Sequence, residues 1–240
     1  MPRFFNPEIK QYPAITGADA DHISKSLRMR KGESLTVCDT KGTDYLCEII
    51  DFKPGKVFLK ILSSAPTVSE PGIQVTLYQC LPKADRFEYV IQKSVELGIH
   101  RIVPVLSERC VSRPDKGAAE KKLLRWQRIA DEAAGQSGRG ILPQVTKLIS
   151  FEQCVSELKA YDLPLLFYES GGEPLRGLVT PGFGTAAIVI GPEGGFSERE
   201  VELAVQNGAK TATLGKRILR TDTAPVAALT ALLLLTGNLE

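Results

Sequence analysis

The sequence is poor in the residues that most metal sites and histidine-based catalytic sites need. Its 240 residues include only two histidines and five cysteines, and no two cysteines stand in a C-x-x-C pair. Zinc sites and Ser-His-Asp triads draw on these residue types, so we predict no metal site. An odd number of scattered cysteines is also typical of reduced thiols in a cytosol.

Long apolar runs are lacking as well. The longest, residues 224–235, is too short to cross a bilayer. The N-terminal segment does not have the charged-then-apolar layout of a signal peptide. Apolar residues make up 43% of the chain and charged residues 24%, as in ordinary globular proteins. We therefore expect a cytoplasmic protein that does not use a membrane.

Charge is spread unevenly, although the formal net charge is only +2. Residues 73–150 hold 13 basic and 8 acidic side chains, whereas residues 151–240 hold 7 basic and 11 acidic ones. A basic middle section could contact nucleic acid, but a solvated helix face would have the same composition. Charge alone leaves both interpretations open.

The first part of the chain is predicted to be rich in β-strands. Short apolar runs separated by turn residues predict strands at 34–38, 45–50 and 57–62, preceded by a helix at about 19–29. Such close spacing is typical of a small antiparallel sheet or barrel. Residues 63–72 are rich in Ser, Pro and Gly and are the best linker candidate. We predict a first domain at residues 1–70.

From residue 73 onward, strands alternate with helices, which predicts a mostly parallel sheet covered on both faces. This second domain is predicted to span residues 73–240. Its predicted strands lie at 73–80, 101–106, 163–168, 185–190 and 211–214. Its predicted helices include 85–97, 118–136 and a last helix from residue 224.

A glycine-rich loop follows one of these strands, in the stretch AAIVIGPEGGFSERE at 186–200. Parallel sheets bind ligands outside the carboxyl ends of their strands, where Gly191 begins. The loop has neither the lysine nor the spacing of a phosphate loop. Its glutamates would repel a phosphate, and Ser197 with Glu200 predicts a capping box. A neutral or cationic ligand fits better, and a purely structural turn stays an alternative.

A second, basic loop lies in the acidic last third of the chain. Residues 214–229 have the sequence LGKRILRTDTAPVAAL. Arg217 and Arg220 stand just before the helix that Asp222 or Thr223 can cap, and the dipole of that helix disfavours cations at its start. Their position therefore indicates a task other than helix stabilisation, at the same edge of the sheet as the glycine loop.

Together, the two loops closely resemble the signature motifs of the 16S ribosomal RNA uracil-N3 methyltransferases, a branch of the SPOUT superfamily. The resemblance covers the whole chain, with further blocks at 22–32, 91–98, 107–110 and 132–139. Two positions depart from the family pattern. Gly135 and Asp222 stand where the family usually has glutamate, and the second change shortens a carboxylate by one methylene.

This resemblance implies a fold, a cofactor and a partner. The implied fold class is α/β, with a SPOUT-type trefoil-knotted domain that has a mostly parallel sheet, preceded by a small PUA-like β-barrel that binds RNA. The implied cofactor is S-adenosylmethionine. The implied reaction is methylation of N3 of a uridine in 16S rRNA of the small ribosomal subunit, by a homodimer that associates through its methyltransferase domain.

The resemblance also implies which residues form the site. Arg220, helped by Arg217, is expected to stabilise the uracil anion, and Glu193 and Asp222 are the two candidates for the base. Cofactor contacts are expected from Phe167, Glu169, Ile190, Gly191, Pro192, Gly194, Gly195, Leu214, Gly215, Ile218, Leu219 and Thr223. RNA contacts are expected from Arg3, His22, Lys25, Arg28, Arg30, Lys83, Arg86, Lys93, Arg109 and Arg139.

Three other functions stay open at this stage. A SPOUT enzyme could methylate ribose 2′-hydroxyls, a ribosome-assembly factor could bind RNA without any cofactor, and a glycine-loop enzyme could bind a nucleotide. The last is weakened by the missing lysine. Binding of S-adenosylmethionine rather than ATP would separate the methyltransferases from the other two classes.

Overall fold

The computed structural model describes residues 1–180 and 182–239. The chain divides into two compact units. The first unit comprises Met1–Glu70 and Ala134–Leu142, and the second comprises Pro71–Ala133 and the residues from Pro143 onward. The chain therefore enters the first unit twice.

The first unit is built on a five-stranded sheet with one short helix. Its strands are β1 (Arg3–Phe5), β2 (Ala14–Thr16), β3 (Ser34–Cys38), β4 (Thr43–Lys53) and β5 (Lys56–Pro66), and the helix is α1 (Ala18–Asp21). The strand order is β1-β3-β4-β5-β2. β1 runs parallel to β3, and the other recorded pairs are antiparallel.

The core of the first unit is formed by one face of this sheet. Apolar residues alternate along β3 and β4, as the two-residue period of a half-buried strand requires. Leu35, Val37, Cys47 and Ile49 are fully buried. The three strands predicted for this part of the chain are confirmed.

Two other predictions for the first unit are confirmed only in part. β5 extends to Pro66, into the predicted linker at 63–72, because its last residues pair with the start of β4. The predicted helix at 19–29 is shorter, since α1 passes into a π-helical turn at His22–Ser26. Arg28 then has a φ of +53°, a left-handed conformation that cannot continue a helix.

The second unit contains an eight-stranded sheet whose recorded pairs are all parallel. Its strands are β6 (Gln74–Cys80), β7 (Arg101–Leu106), β8 (Gln144–Val145), β9 (Ile149–Ser150), β10 (Leu163–Phe167), β11 (Glu173–Pro174), β12 (Thr185–Ile190) and β13 (Lys210–Thr213). The strand order is β11-β13-β10-β12-β6-β7-β8, and β9 also pairs with β7.

Six helices accompany this sheet in the part of the chain that the structure describes. They are α2 (Arg86–Glu96), α3 (Lys116–Gln136), α4 (Phe151–Glu157), α5 (Leu175–Leu178), α6 (Glu198–Gln206) and α7 (Ala224–Leu235). The last turn of α3 belongs to the first unit. A single turn of 3₁₀-helix, Leu158–Ala160, follows α4.

The five strands predicted for this domain are confirmed as β6, β7, β10, β12 and β13. The central strand β12 is apolar and buried from Ala186 to Ile190, as expected for a parallel strand covered on both faces. The short elements β8, β9, β11 and α5 were not predicted, because two to four residues are too few to produce a recognisable period.

The last helix, α7, is apolar almost all round. Its residues Ala228, Leu229, Leu232 and Leu233 are buried, whereas Leu234 and Leu235 are 56% and 41% exposed. Across residues 1–180 and 182–239, no helix is both long enough and apolar enough to span a membrane.

Candidate functional site

One cavity of about 550 Å³ lies at the carboxyl end of the parallel sheet. The loops after β10, β12 and β13 form its walls, since these strands end at Phe167, Ile190 and Thr213. This edge is where parallel sheets bind ligands. The volume falls within the range of about 300–1,000 Å³ that is usual for small-molecule sites.

The cavity brings together most of the residues predicted from the two loops. Arg217, Arg220 and Glu193 line it, and so does every predicted cofactor residue except Thr223. Thr223 precedes α7, where its backbone N–H donates to the carbonyl of Arg220. The cavity is also lined by Tyr168, Lys216 and Thr221, which lie between predicted residues of these loops, and by Ala212, Thr213 and Ala224, which were not predicted.

Close packing explains two glycines of the glycine loop. Gly195 has a φ of +65°, which favours glycine, and a Cβ atom at this position would collide with the carboxylate of Glu169. A Cβ atom on Gly194 would lie 3.2 Å from the Cβ of Arg109. The backbone conformation thus favours glycine at position 195, and a side chain at position 194 would require Arg109 to shift by a few tenths of an ångström.

The predicted capping box at the start of α6 is confirmed. Ser197 Oγ accepts a hydrogen bond from the backbone N–H of Glu200 at 3.3 Å, and Glu200 Oε2 accepts from the N–H of Ser197 at 2.9 Å. Glu200 Oε1 also accepts from the backbone N–H of Glu108 at 2.8 Å. These bonds use N–H groups that a phosphate would need.

Glu193 holds the loop between β6 and α2 against the glycine loop. Its Oε1 accepts from the backbone N–H of Lys83 at 3.0 Å and from Arg86 Nη1 at 3.1 Å. Between these two residues, Ala84 has a φ of +55°, which is strained for a residue with a side chain. Arg86 also lines the cavity, although the sequence suggested it only as an RNA contact.

The loop after β7 also bonds to the glycine loop. Arg109 Nη1 donates to the carbonyl of Gly194 at 2.9 Å. Next to it lies a pair of thiols, in which a hydrogen bond with Cys80 lowers the pKa of Cys110 to about 6, whereas burial raises the pKa of Cys80. All five cysteines are free thiols, as predicted.

The basic loop bonds to the same glycine loop through Thr221. Its hydroxyl donates to the carbonyl of Gly191 at 2.7 Å and accepts from Gln79 Nε2 at 3.0 Å. Arg217 and Arg220 are exposed, and among the described residues neither side chain has a recorded hydrogen bond or ion pair. Their guanidinium groups are thus available to a ligand.

Asp222 and Gly135, the two departures from the family pattern, lie outside this cavity. Asp222 Oδ1 is buried and has no hydrogen-bond partner among the described residues. Gly135 is in the last turn of α3, where a Cβ atom would lie 3.8 Å from the ring of Phe5. That distance is ordinary van der Waals contact, so sterics do not require glycine here.

The predicted RNA-contacting residues of the first unit fall into two groups. His22, Lys25, Arg28 and Arg30 are exposed, and Lys25 pairs with Asp21 at 3.1 Å. The other group consists of Arg3, which pairs with Asp44 at 2.6 Å, and Arg139, which pairs with Glu70 at 2.7 Å.

Arg139 is only 2% exposed, which corrects the prediction that it contacts RNA. Its partner Glu70 also accepts from the backbone N–H of Gly140 at 2.6 Å. Burial raises the pKa of the Glu70 carboxyl, but the hydrogen bond and charge of Arg139 outweigh burial and hold this pKa below its ordinary value. Arg139 is therefore a structural residue of the first unit.

The predicted RNA-contacting residues of the second unit are mostly bound to other groups. Lys83 and Arg109 are exposed, and Arg109 is bonded to the glycine loop as described above. Lys93 pairs with Glu96 within α2 at 2.8 Å, and Arg86 pairs with Glu193.

Both units match known protein families. The RNA methyltransferase PUA domain family matches residues 15–62, and the RNA methyltransferase domain family matches residues 69–233, which is more than half of the chain. The chain belongs to the RNA methyltransferase family. The sequence-based prediction of the family is thereby confirmed.

Several relatives of this RNA methyltransferase carry the name ribosomal RNA small subunit methyltransferase E. The one from Bacillus subtilis is 35% identical, over 97% of this chain and 96% of its own length. The one from Mesomycoplasma hyopneumoniae is 33% identical, over 96% of this chain and 98% of its own length.

A solved structure supports the same relationship. A ribosomal RNA small subunit methyltransferase E from Neisseria gonorrhoeae, bound to S-adenosyl methionine, matches with a TM-score of 0.89 and 34% identity over 98% of both chains. The predicted fold class is therefore confirmed. An N-terminal PUA domain is followed along the chain by a SPOUT-type α/β domain.

Proposed function

We propose that this RNA methyltransferase uses S-adenosylmethionine to methylate N3 of a uridine in 16S rRNA of the small ribosomal subunit. The observation that carries the proposal is the meeting of the glycine loop and the basic loop at one cavity, whose lining includes Glu193, Arg217 and Arg220. The names of the relatives support a substrate in the small subunit.

The residues around the cavity fit S-adenosylmethionine. Ile218 is 83% exposed and, with Phe167, Ile190, Leu214 and Leu219, offers an apolar surface for an adenine ring. Glu169 and Glu193 are carboxylates that suit the cationic groups of this cofactor. When bound, the cofactor supplies an electrophilic methyl group.

Arg220 and Arg217 are the groups that stabilise the substrate. N3 of uracil carries a proton, and its loss leaves negative charge on the ring oxygens. A guanidinium group stays charged and presents a planar fork of donors, and fixed cations next to a developing charge lower the barrier to reaction. Neither arginine has an ion-pair partner within residues 1–180 and 182–239, whereas the charge of Arg86 is balanced by Glu193.

No carboxylate of the site is assigned as the base. Asp222 does not line the cavity, and Glu193 already accepts two hydrogen bonds from the loop before α2. The arginines lower the pKa of N3 by stabilising the uracil anion, so the proton can leave to water.

We assign RNA binding to the first unit and methyl transfer to the second. The predicted domains at residues 1–70 and 73–240 differ from these units because residues 134–142 belong to the first unit. Exposed basic residues support this assignment in the first unit, namely Lys25, Arg28 and Arg30. The exposed leucines at the end of α7, Leu234 and Leu235, support a homodimer through the second unit. We place the enzyme in the cytoplasm.

The reaction is tested by incubating the protein with S-adenosylmethionine and either 16S rRNA or small ribosomal subunits from cells that lack this activity. Nucleoside digestion and mass spectrometry should then detect N3-methyluridine. Detection of 2′-O-methyluridine would favour the ribose methyltransferase instead. RNA binding without cofactor binding would favour an assembly factor.

The role of Arg220 is tested by Arg220→Ala. Turnover should fall on the order of 100-fold or more, because a preorganised charge at the reacting group is lost, while calorimetry should find nearly unchanged S-adenosylmethionine affinity. The matched control is Arg128→Ala on α3, where an exposed arginine pairs with Glu132. Turnover within a few-fold of wild type in Arg220→Ala would show that the assignment is wrong.

A further inference from the structure

Three residues from separate parts of the second unit form a chain of hydrogen bonds at the cavity. Gln79 is near the end of β6, Thr221 follows Arg220 in the basic loop, and Gly191 opens the glycine loop. Gln79 Nε2 donates to Thr221 Oγ1 at 3.0 Å, and Thr221 Oγ1 donates to the carbonyl of Gly191 at 2.7 Å.

The direction of this chain is fixed by the chemistry of its ends. The carbonyl of Gly191 can only accept, so the single hydroxyl proton of Thr221 must point to it, and Thr221 must accept from Gln79. Gln79 Nε2 also donates to the carbonyl of Cys80 at 3.0 Å. If the Gln79 amide were flipped, its oxygen would face two acceptors, Thr221 Oγ1 and the carbonyl of Cys80. Only the orientation with Nε2 on this side makes both of these hydrogen bonds.

Gln79 makes these bonds at a cost to folding. It is fully buried, and its Oε1 has no hydrogen-bond partner among the described residues. A buried amide oxygen without a partner destabilises the folded state, and an apolar side chain of similar size would avoid this cost. The contribution of Gln79 must therefore come from its amide nitrogen, which holds Thr221.

The chain of hydrogen bonds acts on the residue next to it. The carbonyl of Arg220 accepts from the N–H groups of Thr223 and Ala224, both at 2.9 Å, and Thr221 is tied to Gly191. The backbone on the C-terminal side of Arg220 is thus held to α7 and to the glycine loop. Its guanidinium group has no hydrogen-bond or ion-pair partner in the part of the chain that the structure describes.

We propose that Gln79 and Thr221 are positioning residues, which set the place of Arg220 relative to the glycine loop. The inference rests on the proposed function, because it takes Arg220 as the group that acts on the substrate. Small errors in the position of a catalytic group can lower turnover strongly without affecting binding. The two residues should thus influence kcat more than KM.

The main test compares Thr221→Val with Thr221→Ser. Valine has nearly the shape of threonine but cannot donate, so kcat should fall about 10- to 100-fold, while KM for RNA and Kd for S-adenosylmethionine should stay within about threefold. Serine keeps the hydroxyl and should restore kcat to within about threefold of wild type. A residue that only fills space would give the opposite ranking.

The variant Gln79→Met tests the same chain of hydrogen bonds independently. It removes the donor to Thr221 while keeping a long, flexible side chain, so its kcat should fall in the same range as that of Thr221→Val. The double variant should lose little more than either single one, because both substitutions break the same chain. Fully multiplicative losses would contradict the proposal.

The other end of α7 offers a matched control. Asn238 Nδ2 donates to Thr236 Oγ1 at 3.0 Å, and Thr236 Oγ1 donates to the carbonyl of Leu232 at 2.8 Å. This chain has the same types of groups but is remote from the lining residues of the cavity. Thr236→Val should therefore lower stability about as much as Thr221→Val and leave kcat unchanged.

Amide hydrogen exchange separates this inference from the proposed function. Thr221→Val should speed exchange at residues 215–222 and 190–193, and Thr236→Val should not, whether or not the substrate is the proposed one. Absence of methyl transfer by the wild type would overturn the proposed function alone. If the wild type is active, two results would overturn the positioning role alone. One is that amide exchange in Thr221→Val is the same as in wild type, and the other is that its kcat is unchanged.

Discussion

At the scale of single residues, Glu193 illustrates how a carboxylate in an active site can serve the architecture of that site. Its Oε1 joins the backbone of Lys83 and the side chain of Arg86 to the glycine loop. Both bonds end on the strained segment that contains Ala84. Glu193 thereby keeps a left-handed turn in place at the wall of the cavity.

This role predicts a difference between two substitutions of Glu193. Glutamine keeps an oxygen that can accept from Lys83 and loses only the partly exposed ion pair, which is worth about 1 kcal/mol or less, so kcat should stay within about fivefold of wild type. Alanine removes both bonds and should lower kcat about tenfold or more.

Steady-state kinetics with a fixed RNA substrate checks this prediction. Glu198→Gln, at an exposed carboxylate in the first turn of α6, controls for the lost charge. If Glu193 were the base, glutamine would be as harmful as alanine. Equal losses in the two variants would therefore contradict the architectural role.

At the scale of elements, the start of α6 combines a local signal with a contact that is distant in sequence. The capping box of Ser197 and Glu200 is readable from the sequence, and the structure adds the bond from Glu108 to Glu200. The carboxylate of Glu200 thus caps the start of α6 directly after the glycine loop and also bonds to the loop after β7.

Ser197→Ala should therefore destabilise the second unit by about 1 kcal/mol, the usual cost of losing an N-cap. Urea unfolding measures this change. Ser156→Ala is the control, since the hydroxyl of Ser156 donates to a carbonyl of its own helix and its loss should cost less than about 0.5 kcal/mol. Equal losses in the two variants would mean that the capping box adds no stability.

Elements with a local cause were predictable, and those with a non-local cause were not. Ala186–Ile190 is a buried strand because its own residues are apolar, and the capping box needs only four neighbouring residues. The end of β5 depends on pairing with β4, which overrides the Ser- and Pro-rich composition of residues 63–66. The trefoil knot that the resemblance implies has no local pattern at all.

The same distinction applies to the site. Most lining residues of both loops could be predicted from the sequence because each loop carries a motif. Gln79 gave no signal, since a glutamine in an apolar strand acquires its role only when the fold brings Thr221 to it. Arg139 looked like one more basic residue until its partner Glu70 was known.

At the scale of the whole molecule, the first unit depends on a segment that is distant in sequence. Residues Ala134–Leu142 complete it, and their bonds include the ion pair of Arg139 with Glu70 and the bond from Cys38 Sγ to the carbonyl of Gly140 at 3.0 Å. Stability of this unit should therefore respond to protonation of Glu70.

The pKa of Glu70 is lower in the folded state than its ordinary value of 4.5. Its contribution to stability is thus fully present above about pH 4.5 and is lost as the pH falls through the folded-state pKa. Glu70→Gln should destabilise the protein most at neutral pH, and the difference from wild type should shrink below pH 4.5.

Urea unfolding at a series of pH values from 7 to 3 tests this prediction. Glu8→Gln, at an exposed residue of the same unit, controls for the loss of one negative charge. A difference between wild type and Glu70→Gln that stays constant over this range would contradict the role of the ion pair.

The divided first unit also has a consequence for the order of events during synthesis. Residues 1–70 leave the ribosome first, and a continuous domain could finish folding at that point. Here Glu70 and the Cys38 thiol receive their partners Arg139 and Gly140 only after β6, α2, β7 and α3 have been made. While those elements are being made, the nascent chain carries a first unit that lacks residues 134–142, and Glu70 does not yet have Arg139 as its partner.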